Sequence, residues 1–190
     1  SACGAELVFG RGMELADFVY FFIGTFIGGG VVLNHSVYSG RTGNAGAFGP
    51  MPIMSSDGKT TTLIDHASIF TLEKRLKKSG FDRPVLGREP EEWNFLGPLL
   101  DQWTADTARH LASAIVASCS IIDFQAAVID GAFPAVIRKR IVQAIQKEIA
   151  NMDTRGISDP VVLEGMVGQG ARVLGGASLP LFSRYLLDKN

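Results

Sequence analysis

The sequence predicts an α/β layered domain, and three observations carry that expectation. Short segments rich in β-branched and aromatic residues open the chain, helical periodicities follow, and single apolar runs of strand length are interleaved between those helices. With 190 residues, 46% hydrophobic and 19% charged, one core is affordable and neither disorder nor a collagen-like chain fits.

Taken in order, SACGAELVFG reads as the tail of a helix closed by Gly10, so the chain is expected to begin within an element of a longer protein. Asp17 to Ile23 and Val31 to Tyr38 read as the strands of a hairpin. Phe18 to Leu33 is short of the roughly 20 residues a membrane span needs and carries four glycines, so it is read as buried strand. A Gly-rich loop is expected from Ser39 to Gly49. Ile69, Leu72 and Leu76 then mark an amphipathic helix from Ile64 to Lys78, ending near Gly80. FDRPVLGREPEE is a connector. A long helix from about Glu91 to Cys119 turns Leu96, Leu100, Trp103, Thr107, Leu111 and Ile115 inward. Gln125 to Ile129 is a buried strand that meets a turn at Asp130-Gly131. The helix beyond it starts at Pro134 and carries the stripe Ile137, Ile141, Ile145 and Ile149. Val161 to Leu163 forms a last strand, and GQGARVLGGASLPLFSRYLL a closing helix interrupted at Pro180.

Eighteen Lys and Arg against 19 Asp and Glu leave a net charge of −1, with no basic run to neutralise a row of phosphates. This chain by itself is therefore not expected to grip nucleic acid. Its two cysteines, Cys3 and Cys119, are too few and too far apart for a disulfide scaffold or a Cys-rich zinc site, which fits a reducing cytoplasm.

The densest concentration of glycine is IGTFIGGG, Ile23 to Gly30. Backbone N–H groups of Gly24, Gly28, Gly29 and Gly30, with the Thr25 hydroxyl, are the makings of a phosphate cradle. The same residues also suit a hairpin that needs positive φ angles.

IGTFIGGG followed by SGRTGNAGAFGPMPI resembles the paired motifs of the ROK family of sugar kinases and sugar-responsive repressors, and the resemblance runs over nearly the whole chain. It implies an actin-like (ribonuclease H-like) lobe with a mixed sheet flanked by helices. It also implies one carboxy-terminal domain over residues 1–190, with the amino-terminal lobe and any winged-helix DNA-binding domain outside the chain. Against the family's G-T-G-x-G-G-G turn, which binds nucleotide phosphate in the kinases, Gly24, Thr25, Gly28, Gly29 and Gly30 match, and Phe26 replaces the third residue. The family's A-G-E-x-G-H motif reads Ala45-Gly46-Ala47-Phe48-Gly49-Pro50 here, so the glutamate and histidine that serve the sugar are replaced.

Asn44 and Gly46 remain as ligand-binding candidates, and Asp65 stands where the family's C-x-C-G-x-x-G-C-x-E stretch ends in glutamate. Asp65 reads equally well as a carboxylate favourable to the helix that begins there. His66 reads as an ordinary, partly buried histidine, and His35 and His110 have no distinguishing context. The corresponding MSSDGKTTTLIDHAS has no cysteine, so zinc is not expected. Aligned on SACGAE, the family's general-base aspartate falls three residues before Ser1, so no catalytic residue is expected within the chain. AVIDGAFP resembles the family's adenosine-side turn, with Asp130 where a second glycine is common.

The reading that follows is the ligand-sensing, dimerising part of a sugar-responsive transcriptional regulator. It takes a small sugar or sugar derivative, forms a homodimer, meets DNA only through a separate domain, needs no cofactor and has no membrane association. The alternative is the carboxy-terminal lobe of an ATP-dependent sugar kinase, in which case ATP is the cofactor.

Overall fold

The structure, a computed structural model, describes residues 1–55, 57–81, 93 and 96–177. Its elements are α1 (Ala2–Phe9), β1 (Phe18–Ile23), β2 (Ile27–Leu33), β3 (Ser36–Tyr38), β4 (Pro52–Met54), β5 (Thr60–Thr62), α2 (Ile69–Lys78), α3 (Gly97–Ile121), β6 (Ala126–Gly131), α4 (Ala135–Ile149), β7 (Val162–Glu164) and α5 (Ala171–Ala177). The main sheet has the order β3-β2-β1-β6-β7. Strand β1 pairs antiparallel with β2 and parallel with β6, and β6 pairs parallel with β7, so the sheet is mixed.

All six residues of β1 are buried, as a central strand covered on both faces requires. Phe18, Tyr20 and Phe22 pack with Cys3 and Leu7 of α1 and with Ala171 of α5. Val19, Phe21 and Ile23 face the opposite way, into a larger core with Leu111 and Ile115 of α3 and Ile137 and Ile141 of α4. Two layers of helix thus sandwich one sheet. Among the described residues no helix is long and apolar enough to cross a membrane.

Several expected boundaries move, each for a local reason. The glycines Gly28 to Gly30 are not in the hairpin turn but within β2, opposite Phe22, Phe21 and Tyr20, and none of them has positive φ. They are small because of what crosses them. A Cβ on Gly30 would sit 2.5 Å from the Cys3 Cβ, and one on Gly29 would sit 2.7 Å from the Phe48 ring. The strand expected from Val31 to Tyr38 is split by Asn34 and His35, whose φ angles of 52° and 58° make the two-residue turn between β2 and β3. Gly10 ends α1 with φ −130°, not in the left-handed region, and its lack of a side chain makes room for the Glu6 carboxylate.

The helix expected from Ile64 begins only at Ile69, after a single 3₁₀ turn at Leu63–Asp65, because Ser68 is extended (φ −128°, ψ 148°). The small hairpin β4–β5 was not expected, although Asp57-Gly58 between polar and apolar residues is a hairpin signal. Asp130 and Gly131 close β6 as fully buried strand residues, where a turn was expected. Pro134 caps α4 from outside the helix instead of standing at its first position. Helix α3 starts at Gly97. The expected start near Glu91, the connector beyond Phe81 and the Pro180 interruption lie outside the described residues.

The crossing of α1 over β2 makes Gly30→Ala destabilising by about 1–3 kcal/mol through overpacking against Cys3. Urea unfolding of the variant is expected to give a lower midpoint with an unchanged slope.

Candidate functional site

The β1–β2 turn, residues 24–26, is fixed to the start of α2 by main-chain bonds. The Gly24 carbonyl accepts from Ile69 N–H at 3.0 Å, and the Thr25 carbonyl from Phe70 N–H at 3.1 Å. Buried Ser68 ties the same junction together. Its hydroxyl accepts from Ile27 N–H at 3.1 Å and donates to the Ile64 carbonyl at 2.7 Å, while its carbonyl accepts from Trp103 Nε1 at 3.1 Å. Helix starts normally leave orphan N–H groups that anions can use. Here the hairpin has taken two of them, and the Thr71 N–H bonds the Ser68 carbonyl at 3.1 Å.

Beside this turn lies a cleft of about 540 Å³, lined by Ser1, Ala2, Phe22, Thr25, Phe26, Gly28 and Gly29. Of the five residues expected to form a phosphate cradle, Thr25, Gly28 and Gly29 face this space. Gly24 and Gly30 are buried, the first serving α2 and the second packing on Cys3. A Cβ on Gly28 would meet nothing within 4 Å, so the cleft is open above it. Phe26 is 55% exposed at the lip, and its ring lies 5.5 Å from that of Phe70, itself 47% exposed.

The other candidates lie elsewhere. Asn44 is exposed and donates to the Thr42 hydroxyl at 3.2 Å. Gly46 has φ 78°, and a Cβ there would lie 2.4 Å from the Gly30 Cα, so this loop rests directly on β2. Its anchor is Phe48, buried with its ring 4.4 Å from that of Phe21. Ala47 and Pro50 are exposed. Asp65 is exposed and accepts from the Thr62 hydroxyl at 2.6 Å, four residues ahead of α2. Neither Asn44 nor Asp65 lines the cleft. Cys3 is a free, buried thiol, and burial pushes its pKa up to about 12.

Two buried carboxylates at the carboxyl edge of the sheet escaped the sequence reading. Glu6 accepts from the N–H groups of Arg11 at 3.0 Å, Met166 at 3.1 Å and Val167 at 3.3 Å. Asp130 accepts from Gly131 N–H, Gly168 N–H, the Tyr20 hydroxyl and Arg138 Nη1 at 2.8 to 3.2 Å. Burial, with the Asp130 charge beside it, holds the Tyr20 phenol far above its ordinary range. A polar side chain followed by glycine after an apolar run has the local pattern of a turn, and only the donors gathered from distant segments make Asp130 a buried strand residue. His66 and His110 also pair, with ring centroids 4.2 Å apart, and His110 Nδ1 lies 2.7 Å from the Asp106 carbonyl.

Residues 1–81 match the model of the ROK family. The chain is 25% identical over 189 residues to the uncharacterized protein y4fQ of Sinorhizobium fredii, covering 97% of this chain and 45% of that protein. Among solved structures it is similar to the ROK hexokinase of Thermus thermophilus, with 25% identity and a TM-score of 0.65 over 93% of this chain and 62% of that one. A Streptococcus pneumoniae ROK family protein in complex with sucrose superposes with a TM-score of 0.74 at 21% identity, over 96% and 64% of the two chains. A ROK family transcriptional regulator, a homologue of the E. coli MLC protein, gives 0.63 at 20% identity, over 95% and 50%. The chain therefore has the mixed-sheet lobe of the actin-like fold, and it spans less than two thirds of the length of each of these relatives.

Ser68→Ala leaves the buried Ile27 N–H without its acceptor, a loss of about 1–3 kcal/mol, and faster hydrogen exchange at that amide is the readout. The His110 pKa is lowered, first by burial and then by the charges of His66 and Arg109, against the opposing pull of Asp106 and its carbonyl. Arg75 pairs with the same Asp106. A histidine depressed in the fold binds its proton more readily in the unfolded chain. Stability is therefore full above the ordinary value of 6.5 and declines as pH falls below it. Urea midpoints measured from pH 7.5 to pH 5 are expected to fall in the native protein, and to fall less in His110→Gln.

Proposed function

With the ROK match of residues 1–81 as premise, we propose that this chain is the carboxy-terminal, ligand-sensing part of a sugar-responsive transcriptional regulator. The observation that carries this reading is the Gly24-Thr25-Phe26 turn. Where the kinase motif has a glycine, an exposed phenylalanine stands at the lip of the cleft. The replacement of glutamate and histidine by Ala47 and Pro50, both exposed, agrees with it.

The ligand is a small sugar or sugar derivative. Thr25 offers a hydroxyl within the cleft, the loop carrying Asn44 and Gly46 rests on β2, and Asp65 stands ahead of α2. The protein is a cytoplasmic homodimer that reaches DNA through a domain outside residues 1–190. Ligand binding shifts the dimer between states of unequal operator affinity, by no more than the ligand's own preference for one state. No nucleotide is needed. Zinc is not needed either, since the β4–β5 hairpin where family members carry thiolates presents serine, threonine and aspartate, a poor set for that metal.

One observation favours the second reading, the carboxy-terminal lobe of an ATP-dependent sugar kinase: the 25% identity with the T. thermophilus hexokinase. A coupled assay for ADP release, run on the intact protein with a panel of hexoses, separates the two. The regulator reading expects no sugar-dependent ADP and a sugar-dependent change in operator binding by fluorescence anisotropy. Sugar-dependent turnover of ATP overturns it.

A further inference from the structure

The parallel strands β1, β6 and β7 end on one edge of the sheet, the edge at which open α/β sheets bind ligands. Four donors from four places converge there. The N–H groups of Gly131 and Gly168, the Tyr20 hydroxyl and the Arg138 guanidinium all point at one small volume, between 2.8 and 3.2 Å from the oxygens within it. Two glycine amides, a hydroxyl and an arginine are the donor set of a phosphate site. Gly168 reaches it in the left-handed region, with φ 66°. Arg138 Nε has no hydrogen-bond partner and faces Glu164 only at 3.6 Å, so the guanidinium retains a spare donor.

The oxygens at the centre belong to Asp130, which is fully buried. We infer that Asp130 is a specificity-determining residue: its carboxylate is a built-in anion that occupies the phosphate position and closes it to phosphate-bearing ligands. Each carboxylate oxygen receives two bonds, Oδ1 from Gly131 and Arg138, Oδ2 from Tyr20 and Gly168. The segment after β7 closes over it at Gly165, where a Cβ would come within 2.7 Å of the Asp130 Cβ. Asp130 is also the register partner of Phe22, which lines the cleft, so the filled position adjoins the candidate ligand site. This assignment goes beyond the regulator reading and is argued from the geometry of this cluster, not from that reading.

Removal of the internal anion should leave a site that an external one can fill. The test follows the thermal midpoint of the full chain as inorganic phosphate is titrated against chloride at matched ionic strength, for the native protein, Asp130→Ser and Asp130→Asn. The native protein is expected to respond equally to both salts. D130S is expected to melt lower and to be rescued saturably by phosphate, binding it at least tenfold more tightly than the native protein does. D130N, which refills the space with a neutral amide, is expected to respond less than D130S. Should D130S be unfolded in chloride, recovery of its folded circular dichroism signal in phosphate counts as the same rescue. A D130S protein that phosphate does not rescue beyond chloride overturns the assignment, and so does saturable phosphate binding by the native protein with Tyr20, Gly168 and Arg138 as its contacts. Neither result bears on ADP release, which tests the regulator reading separately.

Discussion

Two carbonyl groups, those of Gly24 and Thr25, determine how the ligand-facing side of this molecule is built. By receiving the Ile69 and Phe70 amides they join the end of the central hairpin to the start of α2, and Ser68 completes the junction from below. A helix beginning needs acceptors from somewhere, and a side-chain cap is the usual source. Supplying them from a neighbouring turn makes the position of α2 and the shape of the turn a single variable. Phe26 and Phe70 consequently sit side by side at the lip of the cleft, as adjacent products of one junction.

The class of fold was legible because β1 is an unbroken apolar run of strand length and the buried faces of α3 and α4 keep their helical periodicity. Leu100, Trp103, Leu111 and Ile115 on one helix and Ile137, Ile141 and Ile145 on the other are all inside. The glycines misled for a physical reason: sequence shows that side chains are missing but not what passes through the space. Gly28 to Gly30 looked like a loop, yet two of them are strand positions crossed by Cys3 and Phe48. The start of α2 was set by the tertiary bond to Ser68, which no local pattern carries. Of the candidate site, the stretch around Thr25 could be found from its motif. The gathering of Glu6, Asp130, Arg138 and residues 165–168 could not, because its members lie up to 162 residues apart in the chain.

Those two acids show how the fold tolerates buried charge. An isolated carboxylate in an apolar interior is prohibitively unfavourable, and the remedy is to saturate its oxygens with donors. Glu6 relies on main-chain amides, whereas Asp130 adds a guanidinium of opposite charge. Together they hold a short segment, Met166 to Gly168, through its main-chain amides.

Tyr20 has a further role in setting the alignment of the sheet. A strand whose alternate residues are apolar on one side and polar on the other finds its pairing from water alone, since a slip by one position would expose the wrong set. β1 has no such guide, for Phe18, Tyr20 and Phe22 are about as hydrophobic as Val19, Phe21 and Ile23, and both sets are enclosed. Its single hydroxyl breaks the degeneracy: displaced by one residue, it would leave Asp130 a donor short. One oxygen atom thereby serves as the index mark by which the central strand recognises its correct offset.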